Sequence, residues 1–377
     1  MTMLRSLMWG SLGLIAWTHA GYPLAAAAVA RVRRYAPRRG EFVPEVALVI
    51  AAHNEEAVIE ERLRNALRLD YPRERLEIVV ASDGSVDRTD SIVERFESEG
   101  IRLLRLPRIG KLAAQTAAVE ATKGEVIAFS DANSLWQADA LRLLTRDLSD
   151  PEVGYVCGRV RLEARHGDSL EGLYWRFELW LREQESACGS ITAGNGGIYA
   201  IPRTAFLRLG PEHSHDLGLP FRLRRRGLRS VYEPAAVACE QAMSTTQAEW
   251  PRKVRMFSQA WWEVLRGGML NPRRQPPLFY AALVSHRLLR YSSGPLHLVL
   301  FGATAALARR EPAARALLAA QLGFAALALA GRRDHGRVPL ARASWYYAVV
   351  TASSVAGLVR VLARGPVAAW RPARREE

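Results

Sequence analysis

The sequence predicts an α/β domain with a largely parallel central sheet, carried between apolar segments at both ends of the chain. Two observations support this. Between about residues 41 and 265, short runs of β-branched and aliphatic residues alternate with amphipathic stretches, the signature of successive strand-helix-strand units. Outside that interval the chain becomes long uncharged segments bordered by arginines, the signature of membrane-crossing helices.

Taken in order, VALVIAA (46–52) reads as a buried strand, and NEEAVIEERLRNALRL (54–69) as a helix with Asn54 as N-cap and acids in its first turn. LEIVVAS (76–82) is the second strand; SVDRTDSIVERFESEG (85–100) is a helix closed by Gly100. IRLLRL (101–106), a helix through LAAQTAAVEAT (112–122) and EVIAFSD (125–131) complete a β-α-β-α-β-α-β series. Ligands of such sheets gather at the carboxyl ends of the strands. His53, Asn54, Glu55, Asp83, Gly84, Ser85, Asp131 and Asn133 all fall there.

Ser6 to Ala30 contains no Asp, Glu, Lys or Arg, about the length that crosses a bilayer core at roughly 1.5 Å per residue. A cleaved signal peptide is the alternative reading of this segment. The basic run RVRRYAPRR (31–39) opposes translocation, which favours a retained helix with the body on the cytoplasmic side. Three further apolar segments follow near the other end, at roughly 291–308, 313–331 and 343–363. PPLFYAALVSHRLLR (276–290) has the pattern of an amphipathic helix at the membrane surface. The basic WRPARREE tail conflicts with simple alternation of these spans, so one of them is a candidate re-entrant or interfacial segment. The chain thus divides into an N-terminal anchor (1–34), an α/β domain (35–265), an interfacial segment (266–290) and C-terminal transmembrane helices with a tail (291–377).

Composition removes several classes of function. An apolar fraction of 49% in 377 residues excludes a mainly disordered chain. Cys157, Cys188 and Cys239 are scattered, with no CxxC pair, so neither a disulfide framework nor a zinc site is indicated. The net charge of +14 comes mostly from arginines beside apolar segments; they do not gather into a nucleic-acid reading module, and no nucleic-acid partner is expected.

The ordered set AAHNEE, ASDGSVDRT, GKLAAQTAAV, FSDAN, GNGGIYAIPR, HDLGLPFRLRRRG and RKVRM resembles the membrane-anchored glycosyltransferases of family 2, which carry the GT-A fold. That family includes inverting enzymes similar to cellulose and poly-N-acetylglucosamine synthases. The resemblance implies a nucleotide-sugar donor, by default a UDP-sugar, and a saccharide or lipid-linked acceptor in cell-envelope or exopolysaccharide synthesis. It implies a multi-pass protein of a bacterial-type inner membrane, with its catalytic domain in the cytoplasm.

Within that resemblance, Asp83 accepts from the nucleotide base and Glu55 lies near the ribose; on residue grounds alone Asp83 also suits an Asx-type turn before Gly84. Lys111, after Gly110 at a helix start, reaches the diphosphate, or else is a surface lysine. Asp131 and Asn133 face the diphosphate through a divalent metal, Mn2+ or Mg2+, which prefers oxygen ligands. Asn133 stands where relatives carry a second acid, which leaves Asp131 as the main protein ligand; capping the next helix is its other reading.

Asp216 aligns with the catalytic base, which takes the acceptor proton as the hydroxyl attacks opposite the leaving diphosphate. Arg255 is the arginine of RKVRM chosen for the diphosphate, because its planar fork suits phosphate oxygens. Asn195 and Gly196, in a glycine-rich loop, and Trp261 are candidate acceptor contacts; a tight turn explains the glycines equally well, and the membrane interface suits the tryptophan. The basic helix at 222–229 reads as a solvated or lipid-facing surface. SQAWWEVL (258–265) does not reproduce the Gln-x-x-Arg-Trp signature of processive synthases, so long-chain synthesis finds no support and transfer of a single sugar is at least as well favoured. A non-catalytic nucleotide-sugar-binding scaffold of a polysaccharide assembly complex is the alternative.

Overall fold

The computed structural model describes residues 1–163, 170–241, 246–333 and 338–365. Strands β1 (Val46–Ala52), β2 (Leu76–Asp83), β3 (Ile101–Leu106) and β4 (Val126–Asp131) are parallel in the order β3-β2-β1-β4. All seven residues of β1 are buried, as an uninterrupted apolar run demands of a strand covered on both faces. Register places Ala52 opposite Ser82 and Ala51 opposite Asp131, so the carboxyl ends of β1, β2 and β4 finish along one line.

The sheet continues with β7 (Ile198–Pro202) antiparallel to β4, then β6 (Val153–Glu163), β8 (Arg229–Gln241) and the short β5 (Leu135–Trp136). β6 and β8 are parallel, with register shifts between Val153 and Tyr155 and between Cys157 and Arg159. Reversal at β7 opens a crevice beyond the end of β4, the position where a change of strand direction leaves room for a ligand.

Helices α2 (Ile59–Leu67), α3 (Thr89–Glu94), α4 (Lys111–Glu120) and α5 (Ala140–Asp147) cover the sheet. Ile59, Leu63 and Ala66 of α2 lie at helical spacing on its buried face. The sequence placed two of these starts too early. Asn54 does not cap α2: it sits at φ 54° in the left-handed region, and its Oδ1 accepts the Val86 N–H at 2.9 Å, tying the loop after β1 to the loop after β2. Asn133 precedes a turn and β5, so it caps no helix either. Gly100, at φ 83°, does close the second helical segment.

Among the charges buried in this domain are Arg62 and the Asp147–Glu233 pair. Arg62 is fully buried behind β4, where its guanidinium donates to Ser130 Oγ at 3.0 Å and to Asn65 Oδ1 at 2.8 Å; burial pulls its pKa down to about 9. On the far side, Arg39 donates to Asp147 at 2.8 Å and to Glu233 at 2.6 Å, and Arg146 donates to Glu233 at 2.8 Å. Burial, and then Glu233, push the Asp147 carboxyl up to about 6. A carboxyl raised in the folded state binds its proton more tightly there than in the unfolded chain, so its contribution favours folding at acid pH and is lost as pH rises through about 6. Asp147→Asn is therefore expected to flatten the gain in apparent Tm between pH 7.5 and pH 5.5 relative to wild type. Equal pH slopes in the two proteins would refute this assignment.

Among the described residues three helices are long and apolar enough to cross a membrane: α1 (Thr2–Arg33), α11 (Pro312–Arg333) and α12 (Pro339–Arg364). The third expected C-terminal span is shorter. Helix α10 (Ser293–Leu307) has 15 residues, and it is preceded by α9 (Pro277–Ala282), a π-helical stretch (Leu283–Leu288) and Leu289–Tyr291, with Ser292 as the one non-helical residue between. The amphipathic segment and the apolar one thus run on as nearly one rod. A second π-helical stretch, Trp17–Gly21, lies within α1. The WRPARREE tail falls outside the described residues.

Helix α8 (Thr246–Leu265) packs along α12 and joins the α/β body to the apolar helices. At that junction Trp261 is buried, its Nε1–H donates to the Ser354 carbonyl at 3.0 Å, and its ring lies 6.5 Å from that of Tyr291. Trp261→Ala is expected to cost about 3–5 kcal/mol by opening a cavity there, read as a fall in apparent Tm with donor affinity unchanged. Loss of acceptor saturation without loss of stability would instead return this residue to the acceptor site.

Candidate active site

Asp131 ends β4, and its carboxylate is ion-paired with Lys111 Nζ from the first turn of α4. Both face Gly196. A Cβ at that glycine would stand 3.5 Å from Lys111 Nζ and 3.7 Å from Asp131 Oδ2, so the missing side chain keeps the space before the carboxylate open. Arg255 of α8 is near enough to feel the charge of Asp131: burial and Arg252 lower its pKa, while Asp131 opposes them.

Asp83 is buried at the end of β2, and its carboxylate organises the loop before α4. Oδ1 accepts the N–H groups of Ile109 at 2.7 Å and Gly110 at 2.9 Å, and Oδ2 accepts from Arg108 at 2.7 Å. Gly84, at φ 64°, turns the chain against this loop, where a Cβ would come 2.9 Å from the Arg108 backbone nitrogen. Oδ2 keeps one lone pair for a further donor. Glu55 begins the turn before α2, its N–H held by Thr89 Oγ1 at 2.8 Å, and lies at the same rim.

Asp216 lies in the first turn of α7 (His215–Arg225), and its backbone carbonyl accepts the Gly194 N–H at 2.8 Å. That bond fastens the glycine-rich loop to α7 as Gly196 faces Asp131. Among the described residues no hydrogen bond engages the Asp216 carboxylate. Tyr199, in the core between the two acids, has its phenol raised well above the ordinary range by burial and by the charges of Asp131 and Asp216. His215 is interior: Nδ1 lies 2.6 Å from Tyr199 Oη, and burial, aided by Lys111, pushes its pKa down to about 3.

Several expected contacts take other roles. Asn195 braces its loop, donating to the Gly158 carbonyl at 2.6 Å and accepting the Ile198 N–H at 3.0 Å, which commits one amide N–H and one oxygen lone pair. Trp261 lies in the helix junction described above and presents no face to a sugar. The arginines from 222 onward are not a bare surface: Arg222 pairs with fully buried Glu263 at 3.1 Å, and Arg225 donates to the Asn271 carbonyl at 2.9 Å.

One residue was not foreseen. Glu240, near the end of β8, accepts from Ser134 Oγ, and burial followed by the charge of Asp131 holds its carboxyl above the usual range. It places a second acid beside Asp131, from a strand with no motif to announce it. Among the described residues no group of three His, Cys, Asp or Glu side chains is arranged to hold a metal ion. A hard cation before Asp131 would thus draw on this carboxylate, the Asn133 amide oxygen and phosphate oxygens, and the space left by Gly196 fits that arrangement.

The sequence profile of Glycosyl transferase family 2 matches residues 47–228. The α/β body is a glycosyl transferase family 2 domain. The chain is 28% identical over 267 residues to a beta-monoglucosyldiacylglycerol synthase of Trichormus variabilis, covering 67% of this chain and 57% of that one. It is 25% identical over 232 residues to a poly-beta-1,6-N-acetyl-D-glucosamine synthase of Staphylococcus aureus, covering 58% and 55%. The chain thus spans little more than half the length of these relatives.

Among solved structures, the mannosyltransferase PcManGT of Pyrobaculum calidifontis, in complex with GDP-Man and Mn2+, is similar over 95% of this chain and 99% of that one, with a TM-score of 0.72 and 24% identity. The family 2 domain therefore has the GT-A fold, and the likeness extends through the apolar helices. In this domain the profile ends within α7 and its following turn, so Arg255 and Glu240 lie outside the matched residues.

Proposed function

We propose that this chain is an inverting glycosyltransferase that moves one sugar from a nucleotide-diphosphate sugar to a lipid-linked acceptor at the membrane. The observation that carries the reading is the convergence of Asp131, Lys111 and Arg255 before Gly196, with Asp216 one loop away. Lys111 and Arg255 meet the charge that develops on the leaving diphosphate. Asp216 takes the proton of the acceptor hydroxyl while its oxygen attacks the anomeric carbon from the opposite face, which inverts the configuration. Asp131 and Asn133 would hold a divalent cation, which would supply Lewis-acid charge to the leaving diphosphate when bound. Asp83 and Glu55 are the contacts for the base and ribose.

A cavity of about 410 Å³ favours a lipid-linked acceptor over a soluble saccharide. It lies where the family 2 domain meets the apolar helices, lined by His19, Phe257, Arg287, Tyr291, Phe324 and Tyr347, among others. Tyr291 is within Coulombic reach of Asp216. An apolar tail entering between the helices would bring its head towards the proposed base. The arginines at 31 and 33 in the last turn of α1, and at 34, 38 and 39 directly after it, support a cytoplasmic position for the domain in a bacterial-type inner membrane.

Calorimetry of the detergent-purified protein with UDP- and GDP-sugars, with and without Mn2+, tests the donor. Metal-dependent binding of a UDP-sugar is the expected result; a GDP-sugar, the class bound in the similar mannosyltransferase, would correct the nucleotide. Binding without transfer to any extracted lipid would favour the scaffold reading.

A further inference from the structure

A second groove, of about 180 Å³, lies between α1, α9 and the family 2 domain. One end is apolar, with Trp17, Ala25, Val29, Leu278 and Phe279 in its walls. At the other end stand Arg33, Arg224 and Arg229. Arg33 comes from the last turn of α1, and Arg224 and Arg229 from the last turn of α7 and the first residue of the following β8, so distant parts of the chain meet here.

The charges at that end do not balance. Arg229 donates to Glu152 at 2.9 Å and lies over the Tyr35 ring at 4.2 Å. Among the described residues Glu152 pairs with Arg229, and no carboxylate is ion-paired with Arg33 or Arg224. Glu185, also in the groove wall, is engaged by Tyr22 Oη at 2.7 Å, Thr192 Oγ1 at 2.8 Å and His286 Nδ1 at 2.7 Å. Burial, and then the charge of Arg229, lower the pKa of Arg224, as expected of cations crowded without enough counter-charge. A positive end beside an apolar end, both against helices suited to a membrane, matches the head and tail of a phospholipid. The groove, at about 180 Å³, is smaller than one turn of a partner helix roughly 10 Å across.

We propose that this groove binds an anionic phospholipid, with its phosphate on Arg33 and Arg224 and an acyl chain along Ala25, Val29 and Phe279. The lipid would bridge the membrane anchor and α7, whose first turn carries Asp216 and whose last turn carries Arg224. It is separate from the acceptor cavity and does not depend on the identity of donor or acceptor.

Native mass spectrometry of the detergent-solubilised full chain, titrated with phosphatidylglycerol or phosphatidylcholine, tests the site directly. Wild type is expected to retain one phosphatidylglycerol in preference to phosphatidylcholine. Arg33→Gln with Arg224→Gln should weaken that retention about tenfold or more. Arg226→Gln removes an exposed arginine next to the site and should leave it unchanged. Ala25→Phe, which fills the groove without altering charge, should also weaken it, and this variant keeps the test alive if the double variant does not fold. Equal retention by wild type and the double variant, equal weakening by Arg226→Gln, or displacement by millimolar inorganic phosphate would each overturn the proposal. The readout is mass, so its failure is distinct from any failure of sugar transfer.

Discussion

Asp216→Asn is expected to bind the donor as wild type does and to lose sugar transfer by about 10²–10⁴-fold. The substitution keeps the size of the side chain and removes its ability to accept a proton. The backbone carbonyl of residue 216 still holds the Gly194 N–H, so the loop carrying Gly196 keeps its place. The loss should fall on kcat, with the donor Kd unchanged. Single-turnover transfer to extracted lipid, with donor affinity measured by calorimetry, checks both halves. Full turnover by Asp216→Asn would mean that another group takes the proton.

Asp131→Ala should abolish the difference between donor binding with and without Mn2+, and lower transfer by about 10²–10³-fold. Two effects oppose each other in this variant. The main oxygen ligand for a cation disappears, but Lys111 is released from its ion pair and remains available to the diphosphate. Weak binding indifferent to metal is therefore the expected signature, not complete loss. Lys111→Ala should do the reverse, retaining metal dependence at lower affinity. Isotherms of Asp131→Ala that still sharpen on addition of Mn2+ would place the ion elsewhere.

The half of the fold built from local patterns was legible, and the half built from distant contacts was not. Strands β1 to β4 announce themselves because parallel strands covered on both faces need continuous apolar runs. The start of α2 did not, because Asn54 answers to Val86, 32 residues away, and not to its own helix. The same distinction divides the site. Asp83, Lys111, Asp131 and Asp216 sit in short motifs at strand ends or helix starts, where sequence order and spatial order coincide.

Glu240 escaped notice because it is a lone acid in a long strand, brought to Asp131 only by the pairing of β8 with β5 and β6. Asn195 and Trp261 were attractive as polar and aromatic contacts for a sugar. What decided their roles were backbone carbonyls at Gly158 and Ser354, which no local pattern reveals.

The π-helical stretches at Trp17–Gly21 and Leu283–Leu288 each make the chain one residue longer than an α-helix of the same span. Deleting one residue in either stretch would let it close into an ordinary α-helix of the same span, so the helical segments on both sides would keep their phase. In α1 such a deletion would leave Met8 buried against α10, whereas a deletion elsewhere between them would turn one side of the helix by about 100° and carry Met8 off its partner. The two stretches also supply His19 and Arg287 to the same cavity wall, so closing one of them would move a side chain of that wall without mutating it. Length is adjustable at these two places and fixed in the α-helical turns beside them, so variants of this chain should tolerate a one-residue deletion there better than in the adjoining turns.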